Sequence, residues 1–446
     1  MAAADRPQLD AVALRDRYAR VRARTRELFA LVTDEAYYLQ PIALRHPIVF
    51  YEGHLPAFSF NTLVKRALGG SPIDEGLERL FARGIDPDER QVSPSESRAE
   101  DLWPTRDQVR AFADEADRRV LEALGRADLD RPGDPFLDRA EAVFAILEHE
   151  AMHQETLLYL WHRLPYELKR RPSSYRPQLD GTAPAVIGVD VPGGRATLGV
   201  DASASEFTWD NERPSYRVEV PAFTIDRDNV TNVAFLAFVD DGGYQDPRWW
   251  EGDDWAWIQE EGRTHPPFWD RSDGDWWWHG LFDRVLLPAA WPVYVTHAEA
   301  SAYARWRGAR LPSEAEFQRA AYGSPDGERP FPWGSEPPTP ARGVFDFTSW
   351  DPEPAGSHPL GASAWGIHDL VGNGWEWTST VFGPFPGFTP LRSYPEYSAD
   401  FFDGRHRVLK GASPVTAREL LRPTFRNWFR RRYPHVYGSF RCVSPR

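Results

Sequence analysis

The run Glu148-His149-Glu150-Ala151-Met152-His153-Gln154-Glu155 constrains this chain more than any other. It is flanked by two strongly apolar stretches, Ala142-Val143-Phe144-Ala145-Ile146-Leu147 and Leu157-Leu158-Tyr159-Leu160-Trp161. Together they read as one helix over about residues 135–163, buried on most of its surface. Positions i and i+4 of a helix share a face, with Cβ atoms roughly 5–6 Å apart. Both imidazoles can therefore reach one point. Buried imidazoles and carboxylates need partners, and a metal cation is one solution; a polar helix edge is the plainer one. The same letters fit the H-E-x-x-H pattern of zinc hydrolases, in which Glu150 would act as the base. A facial metal site needs a third ligand. His54, in Tyr51-Glu52-Gly53-His54-Leu55-Pro56-Ala57-Phe58, is the candidate, on a further apolar segment that begins at Pro47.

With 446 residues the chain has room for two or three domains. Its net charge of -14 argues against a nucleic-acid partner, which calls for a basic face. The single cysteine, Cys442, rules out an intrachain disulfide framework and a cysteine-rich zinc site. The N-terminus has no apolar signal core, and no stretch reaches the roughly 18 apolar residues of a membrane span. The expectation is a cytoplasmic protein with no membrane partner.

Apolar spacing predicts an amphipathic helix over 8–33, a short one near 75–84, and one over about 106–125 capped by Thr105. With the histidine helix these make four, which suggests an up-and-down bundle. A Pro- and charge-rich linker follows at 166–186. Beyond it short β-like runs (196–200, 216–220) alternate with turns, and helices are expected at 296–307 and 313–322. The fold class is α+β: a helical domain over 1–165, the linker, and a mixed domain over 187–446. Residues 249–278 carry Trp249, Trp250, Trp255, Trp257, Trp269, Trp276, Trp277 and Trp278. They read as loop packing or, alternatively, as an aromatic wall for a sugar or a cation. Arg310 with Glu314 reads as an ion pair or cap, and Trp375, Glu376 and Trp377 as core. Arg426, Arg430, Arg431 and Arg432 read as a solvated basic face, or as a source of a contact to a sugar or a carboxylate.

The second half carries Arg310-Leu311-Pro312-Ser313-Glu314-Ala315-Glu316-Phe317, Gly372-Asn373-Gly374-Trp375-Glu376-Trp377-Thr378 and Gly438-Ser439-Phe440-Arg441-Cys442. These motifs resemble the formylglycine-generating-enzyme-type, C-type-lectin-like fold. The first half resembles a DinB-type four-helix bundle. The fusion is similar to the ergothioneine sulfoxide synthases, and the resemblance covers nearly the whole chain. It implies an oxygen-dependent oxidoreductase in which His54, His149 and His153 bind non-haem Fe(II). O₂ and a thiol donor would take the open positions. The imidazole of the betaine hercynine would gain a carbon–sulfur bond. It also implies a pocket between the two domains. Within it Asn427 would hold the hercynine carboxylate, Trp428 and Phe388 would wall its trimethylammonium, and Met152 would stand where the family has a glutamine.

Three departures set this chain apart. The family's Tyr-Pro-Gly segment, which supplies a catalytic tyrosine, is Phe385-Pro386-Gly387 here, and phenylalanine has no proton to give. Tyr51, Tyr433 or Tyr437 would have to supply a relocated phenol. The Asp and Arg that hold a zwitterionic thiol in γ-glutamylcysteine-using members are Phe429 and Tyr433. Uncharged rings suit a neutral sugar better. The departures resemble the selenoneine synthase branch, which joins hercynine to a selenosugar, 1-seleno-N-acetylglucosamine. The alternative is a sulfur-using sulfoxide synthase with another thiol donor, such as γ-glutamylcysteine or cysteine. Two further classes remain: a zinc hydrolase built on His149, Glu150 and His153, and a binding module without catalysis, since lectin-like folds often only bind. Formylglycine-generating chemistry is disfavoured, because it uses a cysteine pair.

Overall fold

The computed structural model describes residues 9–84 and 103–444. Residue 8, the expected start of the first helix, and the outer ends 1 and 446 of the two expected domains lie outside the described residues. The chain divides into two compact units, Met1–Pro172 and Ser173–Arg446, and the break falls inside the expected linker.

In the first unit α1 spans Ala11–Phe29 and is capped by Asp10, whose carboxylate accepts the N–H groups of Val12 and Ala13. Helix α2 spans Ile48–Ser59 and continues as a π-helix over Phe60–Ala67. A short α3 covers Glu75–Phe81. Helix α4 spans Arg106–Arg126, opened by the expected Thr105 in a capping box with Gln108. The histidine helix α5 spans Glu141–His162. It starts six residues later than the sequence suggests, because Arg139 and Ala140 both take left-handed backbone conformations that break the helix. The fourth long helix is α2 with its π continuation, not the segment near 75–84. Almost every residue of α2 is buried. It therefore lacks the polar stripe that marks an amphipathic helix, and Pro56 inside it argues against a helix on sequence grounds.

A polar network ties the bundle together. Arg22 of α1 donates to Asp117 of α4 at 2.8 Å and to Glu150 of α5 at 2.7 Å, with all three side chains buried. Thr25 donates to Glu150 at 2.6 Å and Tyr18 to Asp117 at 2.8 Å.

The second unit is mixed. Its main sheet runs Asn427–Arg430, His406–Ala412, Gly374–Val381, Gly438–Ser439, the last pair parallel. A three-stranded sheet joins Gly188–Val191, Phe223–Asp226 and Val443–Ser444, and Gly194–Leu198 pairs with Tyr216–Val220. The expected helices appear at His297–Trp306 and Glu314–Tyr322. Three more, Asn232–Asp240, Asp254–Glu260 and the short Glu396–Ala399, have no counterpart in the sequence reading. Trp375, Glu376 and Trp377 are fully buried, and Glu376 is held by Arg441 at 2.6 Å.

Three local expectations change. Arg310 pairs with Glu316, which caps the helix through Ser313, whereas Glu314 reaches Arg426. The run from Arg426 is only partly a solvated face: Arg430 is exposed, but Arg426 is buried, and Arg431 and Arg432 both pair with Asp254. The tryptophan-rich stretch is a helix and a hairpin rather than a loop. Guanidinium groups lie over Trp249, Trp257, Trp276 and Trp277 at 4.4–5.3 Å from the ring centroids. Those ring faces are already engaged by the protein's own cations. Among the described residues no helix is long and apolar enough to cross a membrane.

Candidate metal centre

Helix α2 brings His54, and α5 brings His149 and His153, to one buried point. One nitrogen from each ring lies within 4.8 Å of the others, and the described residues hold no other such cluster. The ring centroids are 5.2, 5.0 and 4.4 Å apart. The i, i+4 spacing on α5 supplies two rings. The third arrives because α2 packs against α5.

The cluster is built to present neutral nitrogen. His54 Nδ1 lies 2.7 Å from the carbonyl of Phe81. A carbonyl only accepts, so Nδ1 carries the proton and Nε2 the lone pair. That Nε2 is buried with no hydrogen-bond partner, as are Nδ1 of His149 and Nδ1 of His153. Burial pushes the His54 imidazole down to about 4, against the pull of the Phe81 carbonyl. Burial, reinforced by the neighbouring imidazoles, pushes His149 and His153 well below the usual imidazole range. Three neutral imidazoles with orphaned nitrogens fit a divalent first-row metal that accepts nitrogen donors.

Residues that sequence reasoning missed hold these rings in place. Phe58 stacks on His149 with centroids 3.6 Å apart and rings 10° from parallel, and Phe50 stacks on His54 at 4.8 Å. Gly53 lets Phe81 sit directly on α2: a Cβ there would fall 2.3 Å from the Phe81 ring. A glycine beside the ligand, inside an apolar run, was the one available signal of that close approach.

Glu150 lies on a neighbouring face of α5, turned toward α1. Its carboxylate is bound by Arg22 and Thr25. Burial pushes its pKa up, only partly offset by Arg22. The carboxyl that a zinc hydrolase would use as its base is thus a strut of the bundle core. Met152 is half-buried beside His153, while its neighbours on α5 are buried. Tyr51 is buried one turn before His54, its ring centroid 6.0 Å from that of His153.

The remaining site candidates belong to the second unit. Trp428 stacks on Phe382 at 4.3 Å and 6°, with Tyr397 and Phe401 at 5.5 and 5.7 Å. Phe388 joins the same cluster through Phe402, at 5.1 Å. The Asn427 carboxamide oxygen accepts the backbone N–H of Trp428 at 2.9 Å. Phe429 stacks with Tyr433 at 4.8 Å and 14°. Alternation along the strand puts Phe429 and Trp428 on opposite faces of the sheet. Phe385 is buried against the Arg426 guanidinium, 4.2 Å from its ring centroid, and Tyr437 packs among Phe268 and Tyr294.

Residues 176–445 match the sulfatase-modifying factor enzyme 1-like domain, and residues 17–157 match the DinB superfamily. The hercynine oxygenase of Mycolicibacterium smegmatis is 40% identical over 342 residues, 73% of this chain and 75% of that protein. The hercynine oxygenase of Mycobacterium tuberculosis is 38% identical over 421 residues, 92% of this chain and 93% of that protein. Ergothioneine biosynthesis protein 1 of Schizosaccharomyces pombe is 28% identical over 449 residues, 93% of this chain and 54% of that protein.

Proposed function

The chain belongs to the hercynine oxygenase family, and within it we propose a non-haem iron(II), O₂-dependent selenoneine synthase that joins hercynine to a selenosugar. The chain is an enzyme of this oxygen-dependent, ergothioneine-type class. The observation that carries the iron reading is the buried cluster of His54, His149 and His153 with its unpartnered nitrogens. Fe(II) held there would offer open coordination positions at which O₂ and the donor meet.

The reaction balances for either chalcogen. The imidazole C–H and the donor Se–H or S–H are lost as the new bond forms. One oxygen atom stays on the chalcogen as its oxide and the other leaves as water. The protein's part is to bind and orient. The Phe81 carbonyl fixes the His54 tautomer. The Trp428 ring offers its face to the trimethylammonium, a contact worth about 0.5–2 kcal/mol, Phe388 adds a second wall, and Asn427 takes the carboxylate. Met152, half-buried beside His153, stands where the family has a glutamine.

The selenium reading rests on the donor positions. Phe429 and Tyr433 form a stacked, uncharged pair, which suits a neutral sugar better than a zwitterion. A selenolate is also a better nucleophile than a thiolate, which eases the loss of the tyrosine at Phe385. Of the phenols that would replace that tyrosine, Tyr51 adjoins the histidines, whereas Tyr437 lies in an aromatic core. One observation favours the sulfur alternative. The half-buried Arg407 is the register partner of Phe429, and such partners share a face. A thiol with a carboxylate would find that cation close by.

The test is anaerobic reconstitution with Fe(II), then addition of O₂ and hercynine with the selenosugar, its thiosugar analogue, γ-glutamylcysteine or cysteine, read by mass spectrometry. Preferred turnover of the selenosugar upholds the reading. Preferred turnover of γ-glutamylcysteine or cysteine replaces it with the sulfur enzyme.

A further inference from the structure

Arg426 is an unusual residue to bury. Its side chain is 2% exposed and Glu314, its partner, 3%. The pair is bidentate, with Nε on Oε1 at 2.9 Å and Nη2 on Oε2 at 3.1 Å. The remaining Nη1 donates to the carbonyls of Asn211 at 3.0 Å and Gly383 at 3.1 Å. The guanidinium also lies over two rings, Phe385 at 4.2 Å and Phe382 at 4.9 Å. Phe382 in turn carries Trp428, nearly parallel at 4.3 Å. A continuous line of contacts therefore runs from Glu314 through Arg426 and Phe382 to Trp428. A buried ion pair is costly to assemble and by itself weak evidence for stability. Here it fixes both the backbone at Gly383 and the ring at Phe382 on which the tryptophan rests.

We propose that Glu314 and Arg426 are positioning residues that set the Trp428 ring, through Phe382, for recognition of a quaternary ammonium group. The inference rests on the reading of Trp428 as the trimethylammonium contact. Cation–π attraction requires the cation over the ring face, so a tilted indole keeps its bulk but loses the contact. Glu314 has a second task. It neutralises the guanidinium that would otherwise repel a second cation across the stacked rings.

The experiment measures the affinities of hercynine and of histidine, which lacks the three methyl groups, by anaerobic calorimetry, with metal content checked in parallel. Trp428→Leu tests the reading itself. Phe382→Leu and the double variant Glu314→Gln/Arg426→Met test the positioning, and Arg426→Lys keeps the charge without the flat stacking surface. The expected result is that all four lose about fivefold or more of the hercynine-over-histidine preference, with metal content unchanged. If Trp428→Leu keeps the full preference, the reading and the proposal both fall. If Trp428→Leu loses it while folded Phe382→Leu keeps it, the reading stands and the positioning is refuted. A wild-type preference in Arg426→Lys refutes the stacking role of the guanidinium. Should the double variant not fold, Phe382→Leu decides.

Discussion

Gly53→Ala is the sharpest probe of how the three histidines are held. The new methyl carbon would lie 2.3, 2.4 and 2.5 Å from Cζ, Cε2 and Cε1 of Phe81. Carbon atoms rest at about 3.5–4.0 Å, so the ring must retreat by about 1.2 Å. Phe81 is fully buried, between Phe50 and Phe112 at 6.3 and 5.9 Å. It cannot simply swing into solvent, and overpacking of this kind costs about 1–3 kcal/mol. The consequence for the site comes through the backbone of the same residue. The Phe81 carbonyl holds His54 Nδ1 at 2.7 Å, and a comparable retreat would stretch that bond to about 3.9 Å, past any hydrogen bond. Loss of such an orienting partner costs about 10–100-fold in metal affinity, or about 1.4–2.7 kcal/mol. Competition between the protein and a chromophoric chelator for Fe(II) under argon measures it. The double variant Gly53→Ala/Phe81→Leu, with a smaller side chain under the methyl group, should recover most of the affinity. A Gly53→Ala protein that melts at lower temperature yet binds metal as tightly as the parent would refute the argument. It would mean that the ring had moved without the carbonyl.

Three further outcomes follow from the same geometry. Glu150→Gln should lower stability by about 1–3 kcal/mol through its contacts with Arg22 and Thr25, with metal affinity and turnover kept. A hydrolase that used Glu150 as its base would instead lose about 10²–10⁴ in rate. Tyr51→Phe should slow turnover by about 10²–10⁴ while iron content stays constant; an unchanged rate removes Tyr51 as the replacement phenol. The third concerns acid. Burial pushes the Glu212 carboxyl up, but Arg422, with Thr424, outweighs it and holds the pKa below the ordinary value. Its contribution to stability is therefore complete above about pH 4.3 and is lost as pH falls through the folded pKa. Arg422→Gln should move the acid-unfolding midpoint, followed by near-ultraviolet circular dichroism, to higher pH. A midpoint that stays put or falls contradicts the sign.

How much of this was legible in the sequence depends on whether a residue's partner is local. Thr105 with Gln108 and Ser313 with Glu316 are capping boxes whose partners lie three positions apart, so both helix starts were readable. The start of α5 was not. Nothing in Arg139-Ala140 announces two left-handed residues, which are held by tertiary contacts such as the Arg139 N–H on Asp130. Helix α2 was missed because it is apolar all round and contains a proline, two features that erase the periodic signal. Glu314 was matched with the wrong arginine for a related reason. Arg310 is near in sequence, but Arg426, 112 positions away, has the bidentate geometry.

The histidine helix makes the same point for the site. Its eight letters encode two faces, and spacing alone separates them. His149 and His153 are four apart and share one face; Glu150 and Gln154 are four apart and share another. The second pair binds the first helix, Glu150 through Arg22 and Thr25, Gln154 through the Val21 carbonyl at 2.9 Å and Thr25 at 3.0 Å. A hydrolase base must stand beside its metal ligands. This carboxylate instead shares its arginine with Asp117 across the bundle. The motif that most invites a hydrolase reading is thus satisfied letter by letter, yet it describes a different object: a histidine face and a bundle face on one helix. What distinguishes them is Arg22, which lies 128 residues from Glu150 and carries no motif of its own. The neutral, three-nitrogen character of the site depends on that arrangement. With Glu150 held by Arg22 and Thr25, the cluster among the described residues consists of three imidazoles and no carboxylate.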